Sequence, residues 1–448
     1  MRRKMYEQLL EWKSREGATA LLVQGARRVG KSYVAEAFAQ KEYRSYIKVD
    51  FNDISDENKN LIVNNLHDRD RLFSYLQTMF NKKLYERESL IMFDEIQECP
   101  KVRAALKYLV ADHRYDYIET GSLLSIRANT KDIVIPSEEE PIEMHPMDFE
   151  EFLWANDEVM LADFIRECYE KRQALPQAIH RKAMQLFKEY MVVGGMPQVV
   201  KAYIKTKNFQ VADREKMNIL SLYRADIAKH TGALALKVES IFDAIPSELS
   251  KHEKRFRLVA LSQNAKMRDY IEPFTWLQDA KFVNLCFGST EPSMGLFINQ
   301  KRTTLKCYLG DTGLLYSLAF KSLKDKNEVY RKIILGKLSV NEGMFMENMV
   351  AQMLRAQGHA LFFFSNSSRE SKEDRMEIDF LLPKNNITSR HNINIIEVKS
   401  GERYRLTSLH KAMKKYEVQL QEAIVLHPDN VEVKDGVTYL PVYMTGCL

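Results

Sequence analysis

The sequence predicts an α/β protein whose N-terminal part is a doubly wound parallel sheet, and two observations carry that expectation. Apolar runs at ALLVQG, SYIKVD (45–50), SLIMFDEIQ (89–97) and YDYIETGS (115–122) alternate with stretches rich in helix formers. Two of these runs, LIMF and the one ending ETGS, are continuous rather than alternating, the pattern of strands buried on both faces. Ligands of such a sheet gather at the carboxyl ends of its strands. Before the first strand, residues 6–14 read as a short amphipathic helix ending near Gly17.

Size and composition set the frame. The chain has 448 residues, 45% apolar and 28% charged, which is the balance of a globular protein with ample core. At about 150 residues per domain it predicts three domains. Lys and Arg total 66 against 61 Asp and Glu, so the net charge is only +5 and any nucleic-acid contact must come from local clustering. No apolar run approaches the ~18 residues of a membrane span. MRRKMYEQLLEWKSREG lacks the apolar core of a signal peptide. The cysteines (Cys99, Cys168, Cys286, Cys307, Cys447) are scattered and form neither a disulfide framework nor a zinc pattern. A cytoplasmic protein with no membrane partner is expected.

Gly25-Ala26-Arg27-Arg28-Val29-Gly30-Lys31-Ser32 fits G-x-x-x-x-G-K-[ST] without a gap, after a strand and before a helix. Glycines let backbone N–H groups turn toward phosphate oxygens, Lys31 reaches the β- and γ-phosphates, and the Ser32 hydroxyl joins the Mg²⁺ shell. The helix that starts at Lys31 sets its positive dipole end under the phosphates. Asp94-Glu95 closes the run Leu90-Ile91-Met92-Phe93, some 60 residues after the loop. In that setting Asp94 is the expected partner of Mg²⁺ and Glu95 the base that polarises the attacking water. Ser122, closing Thr120-Gly121-Ser122, is placed to sense the γ-phosphate; its plain alternative is a small-residue turn. The cofactors predicted are ATP and Mg²⁺.

GARRVGKS, FDEIQ, ETGS, IEMHPMDFEEFLW and VVGGMPQVV together resemble prokaryotic AAA-type P-loop ATPases fused to a C-terminal domain of unknown function. YLGDTGLL at 308–315 and the ENMVAQML helix fit that partner domain, so the resemblance spans nearly the whole chain. It implies a P-loop domain with a helical lid over 1–205, a winged-helix region over 206–300 and a further α/β domain over 301–448. Arg114 and Arg127 flank the third core strand, but both read as solvated surface residues, so no arginine finger is assigned.

From about 150 to 230 the chain reads as helical, interrupted by VVGGMPQ at 192–198. Residues 238–286 read as three helices and the start of a wing, with Ser262 at a helix N-cap and Tyr270, Phe274, Trp276 and Leu277 buried. In the resembling family this portion is a winged helix. Residues 251–268 hold six Lys or Arg against the single acid Glu253, a cluster suited to DNA phosphates. Solvated faces or an intramolecular docking module are the alternatives. A hairpin is expected over FVNLCFGSTEPSMGLFI.

Farther on, MEIDF puts Asp379 on one strand and IIEVKSG puts Glu397 and Lys399 on another, sharing a face by the period of two. Charges on apolar strands must be paired or hold a metal. With Glu347 on a preceding helix, this order is similar to the PD-(D/E)XK nuclease core, in which carboxylates hold Mg²⁺ and the lysine steadies the attacking water. Glu377 is an extra ligand or a surface acid. The predicted protein is an ATPase whose nucleotide state controls a DNA-binding, nuclease-like module. The alternative is a nucleotide-dependent switch or scaffold that binds DNA or protein partners, or itself, without cutting.

Overall fold

The apolar runs form four of the five strands of the N-terminal sheet: β1 (Ala20–Gly25), β2 (Ser45–Asp50), β3 (Ser89–Asp94) and β4 (Asp116–Gly121). The computed structural model describes residues 1–121, 137–293, 295–337, 341–366, 371, 373–383, 392–401 and 403–448. Internal contacts divide the chain into two units, Met1–His145 and Pro146–Leu448.

In the first unit every strand pairing is parallel, in the order β2-β3-β4-β1-β5. All residues of β3 and β4 are buried, as their unbroken apolarity requires. The fifth strand, β5 (Glu139–Met144), reads EEPIEM and gave no strand signal. It lies at the sheet edge, where the exposed Pro141 is tolerated. Leu72 and Leu76 of the helix Arg69–Phe80 and Leu106 and Leu109 of the helix Pro100–Val110 pack with Ile91 and Phe93 of β3. The first helix is Met5–Lys13, as predicted.

The second unit begins with the helices Phe149–Ala155, Val159–Glu170, Gln177–Val193, Pro197–Thr206 and Phe209–His230. VVGGMPQ does break this run: Gly194 has φ +85°, and a Cβ on Gly195 would stand 2.2 Å from the Met147 carbonyl oxygen. Asp311 joins that break to YLGDTGLL. Its side chain accepts from Leu314 N at 2.9 Å, capping the helix Thr312–Ala319, and from Gly195 N at 2.6 Å.

Eight strands then form one mixed sheet: β6 (Val283–Ser289), β7 (Gln300–Leu309), β8 (Phe362–Asn366), β9 (Met376–Pro383), β10 (Ile393–Val398), β11 (Leu420–His427), β12 (Glu432–Lys434) and β13 (Val437–Pro441). Their order is β12-β13-β11-β10-β9-β8-β6-β7.

Two local expectations need correction. The hairpin after β6 returns at Gln300, not at GLFI, which lies in the connection with Phe297 and Ile298 exposed. Ser262 caps no helix, because residues 251–270 fold as turns with single 3₁₀ turns at Leu258–Ala260 and Met267–Asp269. The next helix is Ile271–Asp279. Only Phe256 and Tyr270 of that stretch are buried, so it lacks the apolar stripe that stabilises a helix in a fold. Tyr270, Phe274 and Leu277 are buried as expected, whereas Trp276 is half-buried.

Candidate nucleotide site and a buried ionic cluster

The loop 25–32 turns between β1 and the helix Lys31–Glu42. Gly30 has φ +101° and Arg28 φ +69°, conformations that direct successive N–H groups toward one side. Gly25 is required by space: a Cβ there would meet the Met144 carbonyl oxygen of β5 at 2.4 Å. The Lys31 ammonium donates to the carbonyl oxygens of Gly25 and Ala26, each at 3.1 Å, so it lies folded against its own loop.

Ser32 Oγ donates to Asp94 Oδ1 across 2.7 Å. The two residues expected to share Mg²⁺ are therefore brought together by β3 and the loop helix, and a hydroxyl with a carboxylate is an oxygen donor set that suits this ion. Glu95 follows in the left-handed region at φ +54°, strain of a kind that gathers at functional sites. The Gln97 amide donates to Glu95 Oε2 at 2.5 Å.

Sequence reasoning missed two neighbours of Asp94. The Thr120 hydroxyl, at the end of β4, donates to Asp94 Oδ1. The Lys48 ammonium, on β2, lies 3.1 Å from Asp94 Oδ2 and 3.5 Å from Glu36. Thr120 lay within a quoted motif; Lys48 carried no local signal. Ser122 and Arg127 lie outside the described residues. Arg114 is held by Asp112 and Asp70 at the surface.

In the second unit, Glu347 and Asp379 of the predicted core and their neighbour Glu377 gather around a residue that sequence reading did not single out. Lys306 of β7 has its ammonium 3.2 Å from Glu347, 3.3 Å from Glu377 and 3.4 Å from Asp379, and its side chain is 1% exposed. Glu347 projects from the helix Glu342–Ala356 and also accepts from Tyr308 at 2.5 Å and from the Lys254 ammonium. Burial alone would raise the Glu347 carboxyl, but Lys254, Lys306 and Tyr308 bring it down to about 2. Burial likewise opposes the Lys306 charge, yet Glu347, Asp379 and Glu377 hold it well above the usual lysine value.

Asp379 uses its other oxygen, Oδ2, to accept from Val398 N at 2.9 Å, which ties β9 to the end of β10 beside Glu397. Glu397 accepts from Lys399 at 2.7 Å through Oε1, while its buried Oε2 has no hydrogen-bond partner among the described residues. Burial and then repulsion from Asp379 push Glu397 up to about 8 against the pull of Lys399. Of the predicted residues, Glu347 and Asp379 thus meet at a lysine, whereas Glu397 is paired with Lys399. Among the described residues no group of three or more His, Cys, Asp or Glu is arranged to hold a metal ion.

The basic stretch is largely committed to acids. Lys251 pairs with Glu248, Lys254 with Glu347, Arg268 with Asp269, and Arg255 and Arg257 share Glu253 at 3.3 and 2.8 Å.

An all-parallel sheet that delivers a glycine-bounded loop, a helix start and a β3 carboxylate to one end defines the first unit as a P-loop nucleotide-binding domain. Residues 18–153 match the family model of an AAA domain. Residues 184–326 match a domain of unknown function, DUF8612, and residues 342–444 a second, DUF4143. No curated protein matches the chain. Among solved structures, a variant of Thermotoga maritima RuvB is 12% identical, covering 62% of this chain and 87% of its own at a TM-score of 0.26. Drosophila ORC bound to DNA is 13% identical, covering 75% and 95%, also at 0.26. Cdc6p from Pyrobaculum aerophilum is 15% identical, covering 75% and 95% at 0.23. No described helix is long and apolar enough to cross a membrane.

Proposed function

We propose that the protein binds and hydrolyses ATP at the loop 25–32 and that its nucleotide state controls the C-terminal unit as a DNA-binding module. The observation that carries the first part is the 2.7 Å contact between Ser32 Oγ and Asp94 Oδ1, which sets both oxygen donors beside the phosphate-binding loop. Gly25 and Gly30, with the backbone of Ala26, Arg27, Arg28 and Val29, cradle the phosphates. Lys31 leaves the loop carbonyls to reach the terminal phosphates. Ser32 and Asp94 would hold Mg²⁺, which would supply neutralisation of the phosphate charge. Glu95 takes the proton of the attacking water from its place directly after the end of β3.

Calorimetry of ATP with Mg²⁺ tests the assignment. Lys31→Ala is expected to remove measurable binding, and wild-type affinity in that variant would overturn the site. The second part rests on the nuclease-like order of Glu347, Asp379, Glu397 and Lys399 and on the basic side chains around 251–268. Its test is a titration of duplex DNA with ATP, ADP or no nucleotide: equal affinity in all three states removes the coupling. Between cutting and non-cutting versions, the occupied carboxylates around Lys306 favour the second, a switch or scaffold acting without cleavage.

A further inference from the structure

We propose that Lys306 is the resident cation of the C-terminal carboxylate cluster, so that this site works without a divalent metal. The inference deepens the reading of residues 347–399 as a nuclease-like core and rests on it.

A divalent ion in such a core needs oxygen ligands at ~2.1 Å from two or more of its carboxylates. Here one ammonium stands 3.2 to 3.4 Å from Glu347, Glu377 and Asp379 and takes the focus they share. The second oxygens of Glu347 and Asp379 are committed as well: the Lys254 ammonium holds Glu347 Oε2, and Val398 N–H holds Asp379 Oδ2. A metal entering between them would meet two ammonium groups and would have to displace both. The lysine cannot easily leave, since its side chain is 1% exposed and its ammonium lies 5.1 Å from the Phe363 ring centre. A buried cation among acids also does the structural work of a metal, because acids this close repel unless a positive charge sits between them. Lys399, the lysine the nuclease pattern assigns to catalysis, is instead bound to Glu397. What remains is a charge-paired core that does not offer the free carboxylates a hydrolytic metal site needs.

The test counts Mn²⁺ bound to the full chain without nucleotide, by electron paramagnetic resonance, in wild type, Asp379→Asn and Lys306→Met. Equal counts in wild type and Asp379→Asn are expected. Lys306→Met should bind one more Mn²⁺ per chain than wild type, and Mn²⁺ should raise its melting temperature while leaving that of the wild type in place. Loss of one Mn²⁺ on Asp379→Asn overturns the proposal, as does a folded Lys306→Met that gains none. Should Lys306→Met fail to fold, the comparison of wild type with Asp379→Asn still decides. Duplex DNA binding by the wild type in EDTA separates the two claims: binding that appears only with Mn²⁺ overturns the resident-cation proposal, whereas no binding in either condition, with equal Mn²⁺ counts, overturns the DNA reading alone.

Discussion

Ser32 and Asp94, 62 positions apart in the chain, meet at 2.7 Å because the loop helix and the end of β3 rise from one end of the same parallel sheet. The meeting of these two residues is therefore a consequence of strand order. β3 and β1 both flank β4, which brings Thr120 to the same carboxylate.

The Asp311 joint predicts a large stability effect. Asp311→Ala removes the cap of the helix Thr312–Ala319 and leaves the Gly195 and Leu314 N–H groups buried without an acceptor. Losing a cap costs about 1 kcal/mol and each orphaned buried donor about 1–3 kcal/mol, so a loss of ~3 kcal/mol is expected. Asp311→Asn, which keeps one acceptor oxygen, should lose less than half of that. Chemical denaturation measures both; a loss below ~1 kcal/mol for Asp311→Ala would show that the two motifs are not coupled here.

Glu397 predicts a pH dependence. Its ordinary carboxyl value of 4.5 rises to about 8 through burial and Asp379. Between those values the folded chain holds a proton that the unfolded chain releases, so stability falls as pH rises across that window and is unaffected by this group below it. Glu397→Gln cannot titrate. Its melting temperature relative to wild type should therefore climb steadily from pH 5 to pH 8. A difference that stays flat over this range would place the proton elsewhere.

Arg255 and Arg257 both lean on the single acid Glu253, so a phosphate can replace that shared partner. Reversing both to Glu should weaken duplex DNA binding and flatten the plot of log affinity against log salt by about two phosphate contacts, ~0.9 in slope each. An unchanged slope, or no wild-type binding at about 50 mM salt, would leave this stretch as an intramolecular docking face.

The sheet of the first unit was legible because parallel strands buried on both faces read as unbroken apolar runs, and the loop because its glycines and lysine are fixed by phosphate chemistry. β5 was not legible: an edge strand needs no apolar run, and EEPIEM has none. Ser262 failed as a cap because a cap signal starts no helix without an apolar face to bury. The contact of Glu397 with Lys399 could be expected from strand periodicity. Lys306 could not, since its partners Glu347 and Asp379 lie 41 and 73 positions later and β6 and β8 stand between β7 and β9 in the sheet.

Release of inorganic phosphate from ATP by the full chain, followed beside ATP binding in wild type and Glu95→Gln, tests the central claim most directly. The account predicts slow Mg²⁺-dependent release by the wild type. In Glu95→Gln it predicts a drop of at least about a hundredfold, the usual contribution of a general base, with ATP affinity kept within about threefold. Release at the wild-type rate in Glu95→Gln would contradict it.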